Sequence, residues 1–157
     1  MGRVDPAPEG RYDVDASDCI FCEIVAGTSE CHEVYQDDAT LAFMDIHPAN
    51  DGHCLVIPKN HFENVFDMPP AAFGTVASTV AKVARVVNEV LRPGGMSLVQ
   101  ANGALAGQSV LHVHVHVLPR RAGDNLLINW DRGNRPVDRD RIAEIAERLR
   151  SRLRGSV

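Results

Sequence analysis

The chain has 157 residues, 45% of them apolar and 24% charged, with a formal net charge of −5. That length allows one domain with a real core, and the composition excludes a disordered or fibrous chain. The charge is uneven, with 6 basic and 15 acidic residues over 1–119 against 10 and 6 over 120–157, so the body would repel phosphates and specific nucleic-acid binding is not expected.

Residues 1–18 hold Asp5, Glu9, Asp13, Asp15 and Asp18 with two prolines and no apolar run. They read as a flexible tail rather than a signal or transit peptide, ahead of one domain over 19–157. No stretch approaches a membrane span, and a cytoplasmic protein is expected. Four cysteines stand at 19, 22, 31 and 54. Without a secretory signal, Cys19-Ile20-Phe21-Cys22 reads as a metal knuckle or a redox pair. The acidic segment before it, where a redox motif would want a strand, favours metal. Cys31 and Cys54 read as structural.

Val34–Gln36 and Thr40–Ile46 are predicted strands around the Asp37-Asp38 turn, and His53–Ile57 is a third, closed by Pro58. Pro69-Pro70 opens a predicted helix in which Phe73, Val76, Val80, Val83, Ala84, Val87 and Leu91 keep three-and-four spacing, and Pro93-Gly94-Gly95 ends it. Met96–Gln100 makes a fourth strand. From Asp138, Ile142, Ile145, Leu149 and Leu153 mark a terminal amphipathic helix. Hairpins interrupted by one long helix predict an α+β fold on an antiparallel five-stranded sheet.

The fifth strand carries the chemistry. Leu111-His112-Val113-His114-Val115-His116-Val117-Leu118 alternates strictly, which as a strand sets three imidazoles on one face about 6.7 Å apart and three valines on the other. Three readings fit such a face. With Gly107-Gln108-Ser109 it could bind phosphate through loop N–H groups and a hydroxyl, its middle histidine attacking phosphorus. It could ligate zinc, though outer rings about 13 Å apart exclude one ion held by all three. It could also be a surface patch of unrelated histidines.

The His112-x-His114-x-His116 segment with Val117-Leu118-Pro119-Arg120, preceded by Ala106-Gly107-Gln108-Ser109-Val110, resembles the signature of the histidine triad (HIT) family. The resemblance runs upstream through Leu41–Ile46 and Gly52–Lys59 to Cys19–Cys22. It implies nucleotidyl transfer or hydrolysis at a ribonucleotide's α-phosphate, no catalytic cofactor, a purine nucleotide substrate and a homodimer joining two sheets.

Position by position, the similarity makes His114 the nucleophile, with His112 and His116 orienting it and neutralising phosphoryl oxygens. Ser109 and Gln108 match loop residues that bind phosphate and help the leaving group, and Gly107 lets the backbone come close. His53 matches a histidine that supports the triad from the next strand. Asp45 fits the ribose position, and Ile20, Phe21, Ile24 and Phe43 the base slot. For these apolar residues ordinary core is the competing expectation. Relatives often carry asparagine where this chain has Ala101. Bacterial relatives place a structural zinc on the positions of Cys19, Cys22, His61 and His112.

Two branches of the family compete for the substrate. The Cys-x-x-Cys start and the length resemble the nucleoside phosphoramidases, while His116–Asp124 is closer to the dinucleoside polyphosphate hydrolases. The Trp-Pro-Pro-Gly ending of the first branch is missing, and Trp130 is the nearest counterpart. Against catalysis through His114 stand a nucleotide-binding regulatory module with little turnover and a zinc-dependent hydrolase.

Overall fold

The structure, a computed structural model, describes residues 18–126 and 139–154. The expected tail lies outside these residues except for Asp18, and so do Trp130 and the side chains of Ile142 and Leu153. Five strands form one antiparallel sheet: β1 Glu33–Gln36, β2 Thr40–Met44, β3 Cys54–Pro58, β4 Gly95–Val99 and β5 Val115–Arg120, in the order β1-β2-β3-β5-β4. Helix α1 spans Ile20–Ala26 and α2 spans Pro70–Leu91. The chain divides at Asn125/Leu126 into two compact units, and the terminal helix α3, Arg139–Arg154, belongs to the second.

The β1–β2 turn is set by one side chain. Asp37 Oδ1 accepts from the N–H groups of Ala39 and Thr40 at 3.0 and 2.8 Å and from the Thr40 hydroxyl at 2.9 Å. Those donors, the Ala39 N–H first, hold its carboxyl at about 2. Alternation then sorts the sheet's two faces. Ala42, Cys54, Val56, Val113, Val115 and Val117 pack beneath α2 with Val76, Val80, Val83 and Val87. Leu41, Phe43, Leu55 and Ile57 pack on the other face with Cys19 and Phe21.

Two expected strands are shorter than the sequence suggests, and each has a local cause. Thr40–Ile46 stops at Met44 because the Asp45 carboxylate accepts from the His47 N–H at 2.8 Å, which turns the chain off the sheet. The histidine strand begins at Val115 and not at Leu111. The His112 N–H is taken by Val110 O at 2.9 Å and the Val113 N–H by Phe62 O at 2.7 Å, so ladder pairing starts only at Val56↔Val115. The valines nevertheless keep their predicted face.

Helix α1 is absent from the sequence expectation, which treated Cys19–Cys22 as a knuckle alone. Its signal was present: Phe21, Ile24 and Val25 keep helical spacing, and Gly27 ends the helix at φ 75°, a left-handed conformation that glycine adopts at little cost.

Candidate active site

A cavity of about 300 Å³ opens on the sheet face that carries α1. Its walls include Ile20, Phe21, Ile24, Phe43, Asp45, Ser109, His114 and His116, all singled out from the sequence. Phe21 and Phe43 meet edge to face with centroids 5.5 Å apart, and the Phe21 ring also lies 5.4 Å from that of His114. The two phenylalanines are core residues and also line the cavity.

Hydrogen bonds fix where each imidazole carries its proton. His114 Nδ1 lies 2.7 Å from His112 O, and a carbonyl only accepts, so Nδ1 holds the hydrogen and Nε2 keeps its lone pair. His53 Nδ1 accepts from the Ala49 N–H at 3.1 Å, which puts the hydrogen on Nε2. Nε2–H then donates to His116 Nδ1 at 2.9 Å, leaving the His116 hydrogen on Nε2. Asp45 Oδ2 lies 3.6 Å from His53 Nε2. The rings of His114 and His116 stand 5.0 Å apart, nearly perpendicular.

Burial favours the neutral forms of His116 and His53. It pushes His116 down from 6.5 to about 4, helped by neighbouring His114 and His53 and opposed by Asp45. His53 is also lowered by burial, against the pull of Asp45. Because folding depresses the His116 pKa, protons favour the unfolded chain. Its contribution to stability is complete above pH 6.5 and is lost as the pH falls toward 4. Melting followed by circular dichroism over that window is expected to show a shallower acid decline for His116→Gln than for the wild type.

Three expected site residues sit elsewhere. His112 is fully buried and does not line the cavity, and it meets His114 through its carbonyl. Gln108 is buried, with Oε1 accepting from the Gly103 N–H at 2.7 Å and Nε2 donating to Glu63 O at 2.6 Å. These bonds brace the loop. Gly107 closes that loop at φ 87° and also stands off the cavity wall. Asn102 is turned away too, its Oδ1 accepting from the Val65 N–H at 2.9 Å. Glu30, Cys31, Ile46 and His47 line the cavity without having been singled out for it. Of these, His47 stood two residues from Asp45, close enough for the sequence to have suggested it.

Behind the cavity lies a second group. The ligand atoms of Cys19, Cys22, His61 and His112 all fall within 4.8 Å of one another. Cys19 Sγ and Cys22 Sγ lie 3.5 and 3.6 Å from His112 Nδ1, and Cys22 Sγ lies 3.3 Å from His61 Nδ1. Tetrahedral zinc with bonds of about 2.3 Å to sulfur and 2.05 Å to nitrogen sets such pairs about 3.5 Å apart. His112 Nε2 donates to Pro58 O at 2.9 Å, so the lone pair on Nδ1 faces both sulfurs. The donor set therefore fits zinc. Without a metal, burial and neighbouring Cys19 push the Cys22 thiol up to about 11.

Fold and site together define an α+β protein whose antiparallel sheet presents an imidazole-lined cavity beside a Cys₂His₂ cluster. The sequence model of the HIT domain matches residues 26–123, and the chain belongs to that family. It is 40% identical over 141 residues to the protein named Protein hit from Bacillus subtilis, covering 87% of this chain and 97% of the relative. The adenosine 5′-monophosphoramidase hnt1 of Schizosaccharomyces pombe is 31% identical, with 87% and 98% covered. The adenylylsulfatase HINT3 of Arabidopsis thaliana is 36% identical over 70% of this chain and 56% of that one. Among solved structures, SMU.412c from Streptococcus mutans superposes with a TM-score of 0.81 at 36% identity, over 87% of this chain and 85% of its own. A zinc-bound histidine triad family protein from Mycobacterium smegmatis gives 0.68 at 33% identity, over 90% and 99%.

Proposed function

We propose that the protein is a nucleotide hydrolase that cleaves at the α-phosphate of a purine nucleoside phosphoramidate or dinucleoside polyphosphate through a covalent nucleotidyl intermediate on His114. One observation carries this reading: the Nδ1–H of His114 is tied to His112 O at 2.7 Å while the ring lines the cavity, so Nε2 offers a lone pair to a ligand. The relatives named as an adenosine monophosphoramidase and an adenylylsulfatase support the substrate class.

In this mechanism the base enters the slot of Ile20, Phe21, Ile24 and Phe43, and Asp45 accepts from the ribose hydroxyls. His114 Nε2 forms a bond to the α-phosphorus as the bond to the leaving group breaks with its electron pair. The ring becomes cationic with its hydrogen still on Nδ1, and the His112 carbonyl stabilises that charge as it grows. The His116 Nε2–H and the Ser109 hydroxyl are donors for the phosphoryl oxygens. The leaving group takes a proton from solvent. Water then displaces His114 from phosphorus and returns a proton, giving the nucleoside monophosphate.

Cys19, Cys22, His61 and His112 would hold a zinc ion, which supplies structure when bound by tying the start of α1 to the segment before β5. The same reading includes a homodimer that joins two sheets. Strand β4 supports it as the edge: it pairs on one side only, with β5, among the described residues, and Leu98 is 54% exposed there.

A zinc-dependent hydrolase has one observation in its favour, the ligand atoms of Asp45, His53 and His116 lying within 4.8 Å of one another. The tautomers oppose it. With Nδ1 accepting from the Ala49 N–H, His53 Nε2 bears a hydrogen and has no lone pair for a metal. Stereochemistry separates the two mechanisms. Hydrolysis of a substrate made chiral at the α-phosphorus is expected to give net retention, since two displacements each invert. Net inversion would mean direct attack by water and would contradict the covalent route.

A further inference from the structure

A second cavity of about 240 Å³ meets the first along Ile20, Ser109 and Val110, which line both; its remaining walls are Asp18, Cys19 and Leu111. We propose that this cavity receives the leaving group, and that Asp18 selects amine leaving groups bearing a distal positive charge over anionic ones. The inference rests on the hydrolase reading above and names the substrate class it leaves open, phosphoramidates of cationic amines.

Geometry assigns the direction of departure. In-line displacement puts the leaving atom opposite the attacking nitrogen. His114 lines the first cavity and not the second, while Ser109 belongs to both. A phosphorus seated between His114 and Ser109 therefore expels its substituent past Ser109 into the second cavity. There the P–N bond breaks with its pair on nitrogen, and the amine takes a proton from solvent.

The walls specify what fits. Ile20, Val110 and Leu111 suit an alkyl stem, and Cys19 Sγ lies among the metal-ligand candidates, 3.5 Å from His112 Nδ1. Among the described residues, Asp18 is the one charged residue on the wall, and no lysine or arginine lines either cavity. A pyrophosphate, sulfate or second nucleotide would bring negative charge against that carboxylate, with no lysine or arginine among the described wall residues to offset it. An ammonium at the end of the stem would be attracted. At a separation of about 4 Å in water, one such pair changes binding by about fivefold, and salt weakens it.

The test uses adenosine 5′-phosphoramidates whose N-alkyl chains have equal length and end in ammonium, methyl or carboxylate. For the full-length wild type, kcat/KM is expected to run ammonium, methyl, carboxylate, with steps of about fivefold that shrink as ionic strength rises. In Asp18→Asn the ratio between ammonium and methyl substrates should fall close to one, and in Asp18→Lys it should invert. Each ratio is internal to one variant, so a change in the folded fraction does not move it. Turnover of the methyl substrate without any charge order, or an order that survives Asp18→Asn, overturns this inference alone. No turnover of any of the three overturns this inference, and the absence of a nucleotidyl adduct on His114 with them and with a diadenosine polyphosphate overturns the hydrolase reading as well.

Discussion

Replacing His114 by alanine is expected to lower kcat by at least about 10³-fold while leaving nucleoside monophosphate binding within about tenfold of wild type. Neither His116 nor Ser109, the cavity residues that flank the phosphoryl group in this mechanism, offers an equivalent nucleophile. The His116 lone pair at Nδ1 is engaged by His53, and among the described residues the Ser109 hydroxyl has no hydrogen-bonded base to deprotonate it. Binding should survive because the apolar slot and Asp45 belong to other elements, the slot to α1 and β2 and Asp45 to the turn after β2. Initial rates with adenosine phosphoramidate and calorimetric titration with adenosine monophosphate give the two quantities. If the protein were a regulatory binding module, wild type and variant would bind alike and neither would turn over.

The second large effect concerns the Cys₂His₂ cluster. Cys22→Ser is expected to lose about one equivalent of zinc per chain and to melt about 10 °C lower, equivalent to about 3 kcal/mol or more. The size follows from what the cluster joins. Cys19 and Cys22 begin α1, His61 follows β3, and His112 precedes β5, so three distant segments lose a common anchor. Phe21 lies between the two cysteines, with its ring 5.8 Å from that of His112 and 5.4 Å from that of His114. Loosening α1 should therefore disturb the base slot as well. Metal content by atomic absorption, set beside thermal melts, checks the prediction. Chelation that abolished activity while melting stayed unchanged would instead place the metal in the chemistry.

The chain's patterns made most of this legible. The long helix was written in three-and-four spacing between Pro70 and Pro93, and the face assignment of Val113, Val115 and Val117 followed from alternation alone. The cavity walls were largely recoverable from the family resemblance, since Asp45, Ser109, His114 and His116 converge as that resemblance implies. What alternation could not show was the local backbone bonding. His112 and His114 look like ordinary strand residues, yet the His112 N–H goes to Val110 O, and the segment joins the sheet only at Val115. That departure accompanies a His112 ring turned to the cysteines instead of the cavity. Nor could spacing reveal that Gln108 spends its amide on Gly103 and Glu63, because these bonds depend on the fold of a loop with little periodicity. His61 illustrates the same limit: spacing gave no cause to group it with cysteines about 40 residues earlier, and resemblance alone supplied the link.

The covalent intermediate is the centre of the account, and intact-protein mass after rapid, acid-free quenching with adenosine phosphoramidate tests it most directly. The account predicts a gain of one adenylyl group on the wild type and none on His114→Ala. An adduct that persists on the variant, or turnover by the wild type with no adduct at any quench time, would contradict it.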